Sequence, residues 1–209
     1  TRLSMMRCRR MKLQILAAGR NGENWILFVV AKDFNMKKPN IVGGGANTNW
    51  TGLHFEQVNE LRDVLYAKDG FFVQGNDVFK DGVKVATLYQ KNNLYKNFLE
   101  PRGVYWKKYI SKRMLPDDAL YVYGLNTLFI IEKKFQHSAG SVDEKLQTCD
   151  FKKKEYEKLC IPINVKVQYC YFLCDWFQRN EYKDVKDYIL SVGCKYFFDE
   201  IPLEYLGLE

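Results

Sequence analysis

Apolar residues in this chain are gathered into short runs separated by polar turns, and the spacing within each run predicts an element. Residues 12–18 and 25–32 are β-prone runs on either side of Asn21-Gly22, which predicts an opening hairpin with a loop longer than two residues. Residues 55–67 place Val58, Leu61, Val64 and Leu65 at helical spacing. Residues 71–73 and 83–88 read as strands, the second entered through the turn Asp81-Gly82. From about Gln90 the character changes. Residues 92–99 predict a helix ending before Pro101, and residues 118–123 and 127–135 predict two strands around Gly124-Leu125-Asn126. Gly140-Ser141 supplies a turn and cap for a charged helix over 142–159. Residues 165–174 predict a strand that shows no polar alternation past Gln168, the pattern of a strand covered on both faces. A helix over 182–192 and a short strand over 195–198 follow.

The order from Asn92 onward is helix, strand, strand, helix, strand, helix, strand. It predicts an α/β fold with a β-rich N-terminal extension, divided into residues 1–89 and 90–209 and forming one compact body. A chain of 209 residues is long enough for one substantial core.

Charge narrows the class of partner. Lys and Arg number 32 against 25 Asp and Glu, a formal net charge of +7, which favours polyanions, nucleic acid first among them. Apolar runs such as residues 26–31 are too short to span a bilayer, so no membrane partner is expected. Six cysteines without a CxxC pair, and only two histidines, argue against a zinc site and for a reduced, cytoplasmic setting.

The chemistry is concentrated in Pro116-Asp117-Asp118 and the strand that follows. On residues 127–135 the two-residue period puts Ile130, Glu132, Lys134 and Gln136 on one face and Phe129, Ile131, Lys133 and Phe135 on the other. Strand interiors seldom hold Glu and Lys after an apolar run unless they are paired or bind an ion. Two oxygen ligands beside a lysine suit Mg2+ with an adjacent water, the requirement of phosphodiester hydrolysis. Other acid-x-Lys triplets, Asp143-Glu144-Lys145 and Asp184-Val185-Lys186, fall in predicted helices, so strand context isolates Glu132 and Lys134. An exposed edge strand carrying ordinary surface charge is the alternative.

Pro116-Asp117, a spacer, then Glu132-Lys133-Lys134 resembles the PD-(D/E)XK signature of restriction endonucleases and related nucleases. The resemblance covers roughly residues 92–198 and implies a restriction-endonuclease-like core, a mixed central sheet flanked by helices. It implies Asp117 and Glu132 as metal ligands, Lys134 as the catalytic lysine, and Mg2+ as the cofactor. Gln136 matches a glutamine often found two residues after that lysine, and residues 140–146 look like the turn and helix start after this strand, bringing Glu144 near. Glu100 is a candidate helical acid, although Pro101 beside it disturbs the placement. Asp117 is favoured by the motif, with Asp118 in reserve. The implied activity is that of a type II restriction endonuclease: a homodimer cutting double-stranded DNA to 5′-phosphate and 3′-hydroxyl ends, with a companion DNA methyltransferase. A structure-selective repair, resolvase or phage nuclease on the same core is the runner-up, and a non-catalytic nucleic-acid-binding protein the alternative from another class.

Weaker signals surround this set. Residues 105–113 carry Lys107, Lys108, Lys112 and Arg113 among Tyr105, Trp106 and Tyr109, either to grip phosphates or as a solvated loop with its aromatics turned inward. Asn47, Asn49 and Trp50, in a Gly-rich loop, suit base-edge readout or stacking, or belong to a surface loop. His137 ends the strand that carries Glu132, and Lys152-Lys153-Lys154 reads as a solvated helix face.

Overall fold

The computed structural model describes residues 13–15, 29–31, Leu61, Leu65, 68–136 and 142–209. Two compact units divide at Val42 and Gly43. In the first, strands β1 (Leu13–Ile15) and β2 (Val29–Ala31) pair antiparallel, Leu13 opposite Ala31, in a register symmetric about Gly22 as the hairpin expectation requires.

The second unit is built on a seven-stranded mixed sheet whose strands lie side by side in chain order. They are β3 (Phe71–Gln74), β4 (Asp77–Lys80), β5 (Val83–Tyr89), β6 (Asp118–Val122), β7 (Thr127–Lys134), β8 (Lys166–Leu173) and β9 (Lys195–Phe197). Pairing is antiparallel from β3 to β7 and parallel from β7 to β9. Most connections match the sense of the pairs they join, the exception being β5 and β6, which pair antiparallel although residues 90–117 lie between them. Tight turns allow antiparallel neighbours, whereas parallel ones need a crossover. Asp81 and Gly82 join β4 to β5 with both φ angles positive, 50° and 79°, the combination that matches the twist of a two-residue hairpin. Helices Val142–Leu146 and Cys149–Cys160 cross from β7 to β8, and helix Lys183–Ser191 crosses from β8 to β9.

Several boundaries differ from expectation. β5 pairs with β6, so the sheet is continuous across position 90, and the compact units do not follow the expected division into 1–89 and 90–209. β4 escapes the hydrophobic pattern because Asp77-Val78-Phe79-Lys80 is short and half polar. The expected helix over 142–159 breaks at Gln147-Thr148, where the Thr148 hydroxyl donates to the Lys145 carbonyl (2.7 Å). Residues 94–99 wind as a π-helix that a 3-10 turn, Glu100–Arg102, extends.

Alternation along the strands sends side chains to two cores. One face carries Ala119, Leu128, Ile130, Tyr169 and Tyr171, packed with Tyr95, Phe98, Cys149, Tyr156 and Leu159. The other carries Leu120, Phe129, Ile131, Cys170 and Phe172, with Leu61, Leu65 and Leu206. β8 is thus covered on both sides, as its lack of polar alternation predicts. Among the described residues, no helix is long and apolar enough to cross a membrane.

Candidate active site

The site arises where the β6–β7 pairing runs out. Asp118 lies opposite Ile131, so one step further the register brings Asp117 opposite Glu132, and residues directly opposite share a face. The structure brings Asp117, Glu132 and Lys134 together. Lys134 Nζ lies 2.9 Å from Glu132 Oε2 and 3.6 Å from Asp117 Oδ2, and it donates to the Lys133 carbonyl at 3.0 Å. The backbone N–H of Lys133 donates to Asp117 Oδ2 at 2.8 Å. Burial raises the Asp117 carboxyl above its ordinary value; the neighbouring Glu132 charge adds to that, and Lys134 opposes it.

Asp118 is on the opposite face. Its Oδ2 pairs with Lys133 Nζ at 2.7 Å, with both side chains almost wholly buried, and its Oδ1 accepts from Gln90 Nε2 at 2.8 Å. Asp118 therefore does not join Glu132. It is committed to an ion pair with a basic neighbour one pleat away.

A fourth charged group completes the cluster. Lys152, on the Cys149–Cys160 helix, places Nζ 3.1 Å from the same Glu132 Oε2 that Lys134 contacts. The reading of residues 152–154 as one solvated face is thereby corrected. Lys152 reaches the carboxylate and Lys153 donates to the Gly193 carbonyl (3.0 Å), while Lys154, largely exposed, pairs with Asp150. The signal was present in the sequence: Lys152 sits three residues after Cys149 and four before Tyr156, on the stripe that buries both. Tyr156, beside this cluster, has its hydroxyl buried without a hydrogen-bond partner among the described residues. Burial drives its ionisation far above the usual range, and the Glu132 and Asp117 charges add to this.

The remaining candidates fall elsewhere. Gln136 is buried, with neither Nε2 nor Oε1 of its side chain hydrogen-bonded among the described residues. Glu100 and Glu144 are exposed and stand outside the carboxylate cluster, the first on a 3-10 turn and the second on the Val142–Leu146 helix. His137, Asn47, Asn49 and Trp50 lie outside the described residues. In the basic stretch, Trp106 and Tyr109 pack against the core while Lys107, Lys108, Lys112 and Arg113 are exposed. The Arg113 guanidinium lies 5.4 Å from the Tyr95 ring and 5.9 Å from the Trp106 ring, contacts that orient it while leaving its donors accessible.

Among the described residues, no group of three or more His, Cys, Asp or Glu side chains converges on one point. The oxygens that converge, from Asp117, Glu132 and the Lys133 carbonyl, do so on the Lys134 ammonium, and the two carboxylates are the groups left to hold an ion. That set suits Mg2+, which takes one or two carboxylates and keeps several waters, and it does not suit zinc. Comparisons of the chain with protein-family models, curated protein sequences and solved structures gave no match.

Proposed function

We propose that this chain is a Mg2+-dependent endodeoxyribonuclease of the PD-(D/E)XK class, with a restriction-endonuclease-like core and the activity of a type II restriction enzyme. The observation that carries the reading is the meeting of Asp117, Glu132 and Lys134 on one sheet face, at the end of a strand pair. The net charge of +7 and the exposed cations at Lys107, Lys108, Lys112 and Arg113 suit a polyanionic duplex. A homodimer presenting two such sites would address both strands, and a companion methyltransferase would protect the host DNA.

In this reading Asp117 and Glu132 hold the metal. The bound ion would supply charge neutralisation at the phosphate and a more acidic water. Lys134, held as an ammonium by Glu132 and the Lys133 carbonyl, positions the attacking water, and the proton that the water sheds passes to solvent. Water adds to phosphorus and the bond to the 3′ oxygen breaks, leaving a 5′-phosphate and a 3′-hydroxyl. The burial of Glu132 strengthens its charge interaction with Lys134, because little water reaches that pair to screen it.

A non-catalytic DNA-binding protein is the second reading, favoured by the two lysines that already neutralise Glu132. Incubating the protein with unmethylated phage DNA in Mg2+, and in EDTA, separates the possibilities. Discrete fragments only in Mg2+ are expected. Cutting confined to forks or junctions would move the assignment to a structure-selective nuclease, and retention of DNA without cutting would move it to the binding protein.

A further inference from the structure

Glu132 Oε2 is shared by two ammonium groups of different origin. Lys134 is on the same strand, and its Nζ also donates to the Lys133 carbonyl and lies near Asp117. Lys152 comes from the crossover helix, and its Nζ–Glu132 contact is the longer of the two, 3.1 Å against 2.9 Å. The side chains are also unequally exposed: Lys152 25% and Asp117 22%, against Lys134 14% and Glu132 8%. Lys152 and Asp117 thus form the solvent-facing rim of the cluster, while Glu132 and Lys134 form its floor. A lysine on a flexible four-carbon stem at such a rim can leave its partner and remain within reach of an incoming ligand.

Two carboxylates and two ammonium groups sum to zero charge. A divalent cation entering beside Glu132 meets the repulsion of both ammonium groups, and the less firmly anchored one yields. From this we infer that Lys152 is a displaceable counter-ion of Glu132: cation and ammonium compete for Oε2, and the released ammonium contacts the DNA phosphate at the site. The inference rests on the nuclease reading for the identity of the substrate, and on the cluster geometry alone for the competition. It makes Lys152 a phosphate-contacting group coupled to metal occupancy, a role distinct from the water-orienting one of Lys134.

The test uses Lys152→Gln, which removes the charge and keeps helix propensity, with Lys154→Gln on the exposed side of the same helix as control. Thermal unfolding first establishes that both variants fold. Mn2+ binding is then measured by calorimetry without DNA. Lys152→Gln is expected to bind the ion about tenfold more tightly than the parent, since a like charge has left its neighbourhood, and Lys154→Gln to bind it as the parent does. DNA affinity, measured on an uncleaved duplex of the active-site variant Lys134→Ala with and without Mn2+, should fall several-fold on adding Lys152→Gln only when Mn2+ is present. Unchanged or weaker Mn2+ binding by Lys152→Gln overturns the competition, and an equal fall in DNA affinity with and without the ion overturns the coupling. Cleavage by the parent with either result would leave the nuclease reading standing. If neither parent nor Lys152→Gln bound Mn2+, both readings would fall.

Discussion

Lys133 and Asp118 form an ion pair of 2.7 Å inside the far face of the sheet, with 5% and 1% of their side chains exposed. The backbone N–H of the same lysine donates to Asp117, whose carboxylate lies on the near face. One residue therefore fixes two adjacent acids on opposite sides of the sheet. A slip of one residue in the β6–β7 register would send Asp117 to the far face and Asp118 to the near one. The buried pair and the placement of Asp117 beside Glu132 are consequences of a single register.

Breaking that pair should be costly. Asp118→Leu or Lys133→Met each leaves a buried charge without its partner, and we expect a destabilisation of about 3–5 kcal/mol in urea unfolding. The double change Asp118→Leu/Lys133→Met should recover most of it, since an apolar pair of similar volume carries no desolvation penalty. Additive effects in the double variant would show that the two side chains do not act as a pair.

Asp117→Asn should lower cleavage by orders of magnitude and raise thermal stability at neutral pH. The sign follows from burial, which raises the Asp117 carboxyl in the folded state above its unfolded value. The folded chain then binds more protons than the unfolded one between the two values. The contribution of this group to stability therefore declines as pH rises from the unfolded value through the folded one, and above that the penalty is complete. Asparagine removes it. Melting curves of parent and variant across acid to neutral pH should diverge as pH rises, and a variant that melts lower than the parent at pH 7 would contradict this.

Glu132→Ala and Lys134→Ala should each abolish cleavage and leave DNA affinity within a few-fold of the parent, because both lie on the floor of the cluster and serve chemistry more than grip. Single-turnover digestion and a binding titration with the same duplex separate the two effects. Near-normal cutting by either variant would remove the site assignment.

Replacing Lys107 and Lys108 with Ala should weaken binding uniformly across DNA sequences. The dependence of log affinity on log salt should become shallower by about 0.9 for each phosphate that is no longer neutralised. Both residues are exposed on a turn that Trp106 and Tyr109 hold to the core, so the fold should tolerate their replacement. An unchanged salt slope would return this stretch to ordinary surface charge.

Features that depend on short-range periodicity were legible in the chain alone. Alternation along residues 127–135 put Glu132 and Lys134 on one face and Lys133 on the other, and Asp81-Gly82 specified its turn, because side-chain direction and φ preference belong to single segments. The motif favoured Asp117 over Asp118, but which of the two shares a face with Glu132 depended on the pairing of β6 with β7, since register belongs to two strands at once. The course of the sheet across position 90 was likewise decided by the pairing of two strands, whereas the helix break at Gln147-Thr148 has a local partner in the Thr148 hydroxyl on the Lys145 carbonyl. Lys152 shows the division most directly. Helical spacing placed it on the buried stripe with Cys149 and Tyr156, yet which charge it would meet there depended on where the crossover helix settled. A helix face carries no address on a sheet, and the address at Glu132 was supplied by the fold.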